Sequence, residues 1–302
     1  MANNKATLEE VADSLNQRTI EHSAHPHNPM APPTVVIEAR TGWVPINLRD
    51  LWAYRELMYF LVWRDLKVRY KQTALGMIWV VLQPLLMTVI FTIFLGRIIR
   101  VPSNGTPYPL FAYAGLMLWT FFSGSVSVTG NCLVGNAHLI TKVYFPRLLI
   151  PIASIVARVV DFGVALIILV GLMIFYRMPF TPYFLLIPLM ILMLAVLALG
   201  FGMWTSAVNV KYRDVSLALP VLIQLWMFAS PIVYPLSIVP VKYQLLYSLN
   251  PLVGLVEGFR SLLFASPFNW QSFVISVVIS LILLVYAAYS FQSREKTFAD
   301  IV

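Results

Sequence analysis

After residue 74 the chain alternates long apolar runs with short polar breaks. A helix needs about 20 apolar residues to cross the hydrocarbon core of a bilayer. Runs at 75–95, 109–133, 148–176 and 183–208 meet that length, although Gln83-Pro84 interrupts the first. A shorter run at 216–233 carries Pro220 and Pro231, and a last one covers 273–291. Between Leu75 and Phe291 only Asp161, Asp214 and Glu257 are acidic. So few charges cannot build a water-facing surface. The pattern predicts an all-α membrane protein with six transmembrane helices within 73–302, and an even count returns both termini to one side.

Two segments depart from that rhythm. In the first, residues 46–72, Leu51, Met58, Val62 and Leu66 share one helix face and Arg49, Glu56, Arg64, Lys67 and Lys71 the other. Arg55 and Arg69 border the apolar face. Interleaved Trp52, Tyr54, Tyr59, Trp63 and Tyr70 suit the headgroup level. An amphipathic helix lying along the membrane surface is expected. The second, 229–268, is apolar but broken by Pro231, Pro235, Pro240, Asn250-Pro251 and Pro267. Its pieces, about 240–249 and 251–265, are each too short to cross. A re-entrant outer hairpin over about 236–264, placed as an outer gate, is one reading. A plain amphipathic outer loop is the other.

Residues 1–45 read as a flexible cytoplasmic arm, with His25-Pro26-His27-Asn28-Pro29 and Ala31-Pro32-Pro33 favouring extended or turn backbone. They hold no apolar stretch of signal-peptide type, so the first span is expected to double as the insertion signal. The 302 residues are 59% apolar and only 11% charged, with mean hydropathy +0.79, against about 25% charged in soluble domains. The net charge of +8 does not point to nucleic acid, because the basic residues flank the spans. Arg64, Lys67, Arg69, Lys71, Lys142, Arg147, Lys211, Arg213, Arg294 and Lys296 would lie on one side. Arg97, Arg100, Arg177, Lys242 and Arg260 would lie on the other. This bias places both termini in the cytoplasm. The single cysteine, Cys132, rules out an internal disulfide.

Candidate chemistry is sparse. Arg158 and Asp161 are an i, i+3 pair deep within a span, where they can neutralise each other. They line a pathway or tie helices together. His22, His25, His27 and His138 all lie outside the spans, and no metal site is expected. No H-E-x-x-H, G-x-S-x-G or P-loop sequence occurs, which argues against an enzyme. If ATP is used, another chain hydrolyses it. Two compact basic loops, His138–Arg147 and Asn209–Val215, could transmit force through His138, Lys142, Arg147, Lys211, Arg213 and Asp214, or simply set topology. Aromatics gather near the outer ends, among them Tyr108, Phe111, Trp119, Tyr234, Tyr243 and Tyr247. They form an interface belt or a stacking surface for sugar rings.

Several of these motifs fall into one family pattern. Arg64-Asp65-Leu66-Lys67-Val68-Arg69-Tyr70-Lys71 precedes Ala74-Leu75-Gly76 and Trp79…Gln83-Pro84. Tyr144-Phe145-Pro146-Arg147, Lys211-Tyr212-Arg213-Asp214, Ser230-Pro231-Ile232-Val233-Tyr234-Pro235 and Asn250-Pro251…Glu257-Gly258-Phe259-Arg260 follow in order. Over about 45–295 the chain resembles the permease subunit of bacterial polysaccharide ABC exporters, the type-two family that moves O-antigen, capsule and teichoic-acid chains. The resemblance implies a homodimer in the bacterial inner membrane with a channel at its axis. It also implies two copies of a separate subunit that carries the ATP and Mg, with no cofactor on this chain. The 49–71 helix would be the interface helix, Ala137–Pro146 a coupling helix and Lys211–Asp214 a second inner contact. Tyr234, Tyr243, Tyr247, Glu257 and Arg260 would belong to the periplasmic gate. The implied cargo is a long glycan on a polyprenyl diphosphate. The basic face at Arg64, Lys67 and Lys71 suits its headgroup, or anionic lipid equally. Competing readings are a small-lipid or drug exporter of the same superfamily, an ATP-independent channel or carrier, and a membrane-embedded glycolipid enzyme. The missing catalytic cluster disfavours the enzyme.

Overall fold

The computed structural model describes residues 48–71 and 78–301, with side chains through Arg294. The expected arm at 1–45, the Ala74-Leu75-Gly76 motif and the entry to the first span lie outside the described residues. Every regular element among the described residues is helical. Leu48–Ala53 (α1) leads into Arg55–Lys71 (α2), whose Glu56 near its start and Arg69 and Lys71 at its end complement the helix dipole. Ile78–Phe91 (α3) continues as wider π-helical turns over Thr92–Ile99. Tyr108–Gly130 (α4), Cys132–Gly135 (α5), Ala137–Lys142 (α6) and Leu149–Phe175 (α7) follow. Then come Ile187–Lys211 (α8), Val215–Phe228 (α9), Val241–Tyr247 (α10), Pro251–Phe264 (α11) and Trp270–Ile301 (α12).

Five helical stretches are long and apolar enough to cross a bilayer: Ile78–Ile99, Tyr108–Gly130, Leu149–Phe175, Pro182–Lys211 and Trp270–Arg294. Each matches a predicted run. The run expected at 216–233 instead yields α9, a helix of only 14 residues, about 21 Å long. Pro231 explains the early stop. It has no N–H to donate, and its ring crowds the preceding turn. The chain turns at 229–233, with Ser230 N bonded to Met227 O and Ile232 N to Ser230 O.

The bundle has two ends. At one, Leu61, Leu133, Ile140, Phe145, Leu149, Met203, Val210, Ala287 and Phe291 form a single apolar cluster. At the other, the Tyr108 hydroxyl donates to Val233 O (2.9 Å) and that of Thr181 to Leu262 O (2.8 Å). α9 starts at the first end, directly after α8, and the turn that follows it reaches the second. Between the ends the central helix α4 is mostly buried, and Leu110, Tyr113 and Phe122 are fully enclosed. Gly115 lets it approach the 229–233 turn closely. A Cβ there would collide with the Ile232 carbonyl and the Arg260 guanidinium. α3 is the opposite case, buried only at Pro84 and Thr88.

Candidate functional site

Three places hold the residues that the sequence singles out. The first lies where α2 meets α7. Leu61 joins the cluster that contains Leu149, Ile150 and Ala153, and eight residues later Arg69 meets Asp161. Eight helical residues rise about 12 Å. α2 therefore runs alongside α7 for about two turns, its end beside the middle of that helix. Arg69, expected at the edge of the apolar face, sits about 80° from Leu61 and within the packed face.

Asp161 is the hub. Its carboxylate accepts from the Arg69 guanidinium, from the Tyr70 hydroxyl and, at 3.4 Å, from Arg158 Nη1. The expected i, i+3 pair is present, and α2 adds two partners that sequence reasoning missed. The available signal was Arg69 itself, a cation interrupting an apolar stripe. Burial first, then the bond to Asp161, raises the Tyr70 phenol to about 12, so it stays a neutral donor. Gly124 leaves room for the Arg158 guanidinium, since a Cβ there would stand 3.1 Å from its central carbon. A cavity of about 220 Å³ opens beside the cluster, lined also by Trp79, Gln83, Pro84, Thr120 and Phe121.

The proposed headgroup face lies elsewhere on α2. Arg64 Nη2 pairs with Asp65 at 2.9 Å, the exposed Lys67 amine stands 4.2 Å over the Trp63 ring, and Lys71 is exposed. None of the three lines the cavity.

The second place is the end of the bundle marked by Leu61 and Phe291. α6 is a single short helix pegged by Ile140, and Phe145 fixes the strand of chain after it. His138, Lys142 and Tyr144 face outward, while Arg147 is half-buried. Val210 anchors the other loop in the same cluster, leaving Lys211, Tyr212, Arg213 and Asp214 exposed. Both loops thus present polar groups on one end and are held rigidly from behind.

The third place is the hairpin. Asn250 caps α11, accepting from Leu252 N (3.1 Å) and from Trp226 Nε1 (3.1 Å). Its amide donates to Ala229 O (3.0 Å) and Ser230 Oγ (2.8 Å). Arg260 is buried. It donates to Pro231 O (2.7 Å), Ile232 O (2.5 Å) and Glu257 (3.3 Å), and lies 3.6 Å over the Phe111 ring. Glu257 also accepts from Leu236 N (3.3 Å). These two charges hold the 231–236 turn rather than offering a surface. The Tyr234 hydroxyl donates to Phe228 O (2.9 Å), so Tyr247 donates to Tyr234 (2.7 Å). Burial first, and then that bond, hold the Tyr247 phenol well above its ordinary range. Tyr247 lines a groove of about 570 Å³ with Trp226, Tyr243, Leu246 and Asn250. No cluster of metal-ligating side chains occurs among the described residues.

The sequence has known relatives. The chain is 30% identical over 256 residues to the O-antigen export system permease protein RfbA of Myxococcus xanthus, covering 84% of this chain and 98% of that one. It is 26% identical over 248 residues to the protein of the same name from Klebsiella pneumoniae, covering 82% and 95%. The polysialic acid transport protein KpsM of Escherichia coli is 28% identical over 199 residues, covering 64% and 76%. Residues 56–264, which hold α2, the buried ion cluster, both pegged loops and the hairpin, match the family described as ABC-2 type transporter, and the chain belongs to that family.

Proposed function

We propose that this chain is the channel-forming permease of an ATP-driven exporter, moving a polyprenyl-diphosphate-linked polysaccharide across the bacterial inner membrane. The observation that carries this reading is the match along 98% of the Myxococcus O-antigen export permease. ATP and Mg would bind a separate subunit, two copies of which dock on the cytoplasmic end at His138, Lys142, Tyr144 and Lys211–Asp214. The burial of Ile140, Phe145 and Val210 supports that assignment, because a loop pegged to the core can transmit displacement.

Both termini lie in the cytoplasm, and α9 with the turn after it makes a sixth crossing. The contact of that turn with Tyr108 supports this. The 236–264 hairpin enters the membrane from the periplasmic side. The bundle interior is filled by α4 and its neighbours, so a polymer path runs along one face and a second copy closes it into a channel. Tyr243 and Tyr247 offer stacking surfaces at the exit. Arg64, Lys67 and Lys71 draw the diphosphate headgroup to the inner leaflet.

Replacing Arg64, Lys67 and Lys71 together by Gln tests the reading. Each basic residue near an anionic surface contributes about 1 kcal/mol. Export of the lipid-linked glycan should fall on the order of tenfold or more, with the homodimer and its ATP-binding partner still co-purifying. Unchanged export would contradict the headgroup role.

A further inference from the structure

The two helices of the 236–264 hairpin are held very differently. Every residue of α11 except Glu257 and Phe264 is buried. Arg260 clasps the 231–232 turn from one side of it. On the other, Gly254 meets α12 so closely that a Cβ would collide with Ser272 O and Ser276 Oγ. The Gly254 N–H also donates to Ser276 Oγ (3.0 Å). α11 is therefore a fixed wall of the bundle. α10 is the reverse. It buries none of its seven residues, and no other described helix packs along it. Its apolar Val241, Leu245 and Leu246 are exposed. Between α10 and the wall lies the groove of about 570 Å³. α10 contributes Tyr243, Leu246 and Tyr247 to its lining, and the end of α9 and start of α11 contribute Trp226, Asn250 and Pro251.

What holds α10 in place is concentrated at its ends. Before it, Leu236 N donates to Glu257 (3.3 Å) and the Ser237 hydroxyl to Asn104 Oδ1 (3.2 Å). Val239 and Pro240 then run extended, and Pro240 has no N–H to bond. After it, the buried Ser248 hydroxyl meets that of Ser272 at 2.8 Å. From the helix itself the Tyr247 hydroxyl reaches Tyr234 (2.7 Å), while Gln244 Nε2 bonds only back to Val239 O (2.9 Å). We infer that α10 is a flap that opens independently of α11. It pivots at Val239-Pro240 and at the pinned Ser248, the Tyr247–Tyr234 bond is its latch, and its position sets access to the groove beneath. Lifting it uncovers no buried side chain of its own helix and breaks no helix–helix packing, so the latch decides the balance. A few residues at the ends of an element are enough to absorb such a motion. The inference goes beyond the exporter reading and does not depend on it, since it concerns how one segment of this chain moves.

The test uses the purified full chain in nanodiscs, with Cys132→Ser so that only introduced cysteines carry spin labels. One pair, Leu245→Cys with Val285→Cys, joins α10 to the exposed face of α12. A second, Ala265→Cys with Val285→Cys, joins the exposed end of α11 to the same point. Labelled chain is diluted with unlabelled, cysteine-free chain, and pulsed electron resonance reads the distances within one copy. The α10 pair should show a main distance and a minor second one, and the α11 pair a single distance. Tyr247→Phe deletes the latch and leaves Tyr234 bonded to Phe228 O. It should raise the minor α10 population about fivefold, the value of one net hydrogen bond. The α11 pair should not move, which also reads out that the variant is folded. Tyr234→Phe removes the acceptor and should give at least the same shift.

A single α10 distance that neither variant changes would overturn the flap. So would a shift of both pairs together, because the hairpin would then move as one body. The two readings fail separately. A flap that answers to its latch in a chain that exports no glycan refutes the exporter reading alone. A fixed α10 in a chain that exports glycan refutes the flap alone.

Discussion

Asp161 concentrates three interactions from two helices on one carboxylate. Removing that charge takes a shared acceptor from Arg69, Tyr70 and Arg158. Breaking a buried pair in this way costs about 3–5 kcal/mol, so Asp161→Asn should unfold at a markedly lower temperature, measured by thermal unfolding in detergent. Tyr70 gives a pH test. Its folded value of about 12 exceeds the ordinary 10, so the folded chain keeps a proton that the unfolded chain releases above pH 10. Wild type should therefore lose stability relative to Tyr70→Phe as pH rises from 9 to 11, and match its trend below pH 9. Gly115 makes a steric prediction. Gly115→Ala drives a methyl into backbone and guanidinium, and overpacking of this kind costs about 1–3 kcal/mol. Thermal unfolding again reads the loss.

Elements show where sequence patterns were sufficient. The runs at 109–133, 148–176, 183–208 and 273–291 became α4, α7, α8 and α12, because length and hydropathy alone decide a membrane-crossing helix. The run at 216–233 did not stay helical, because Pro231 overrides its hydropathy. The pair Arg158 and Asp161 was legible because i, i+3 spacing is local. The arrival of Arg69 and Tyr70, some ninety residues earlier in the chain, was not. No local rule reports which helix lies beside another. Glu257 and Arg260 were legible as a motif but not as a buried clasp, since burial depends on the turn they enclose. At this scale Asn250→Ala is the sharpest probe of the hairpin. It removes a helix cap worth about 1 kcal/mol together with the Trp226 and Ser230 bonds. Faster amide exchange confined to 229–252 is the expected signature.

On the scale of the whole molecule, one helical bundle links two differently built ends. Exposed polar loops pegged to the core occupy one end. A hairpin clasped by Arg260 and Asn250 occupies the other, and a buried ion cluster ties α2 to α7 between them. That arrangement suits the proposed exporter, in which motion imposed at the loop end travels through rigid helices. On the proposed exporter reading, the motor is a second polypeptide. The most direct measurement is purification of this chain with whatever it holds in mild detergent, followed by mass spectrometry and an ATPase assay. The account predicts a stoichiometric ATP-binding partner whose hydrolysis rises when a polyprenyl-linked glycan is added. A chain that purifies without any nucleotide-hydrolysing partner, yet moves solute by itself in liposomes, would contradict it.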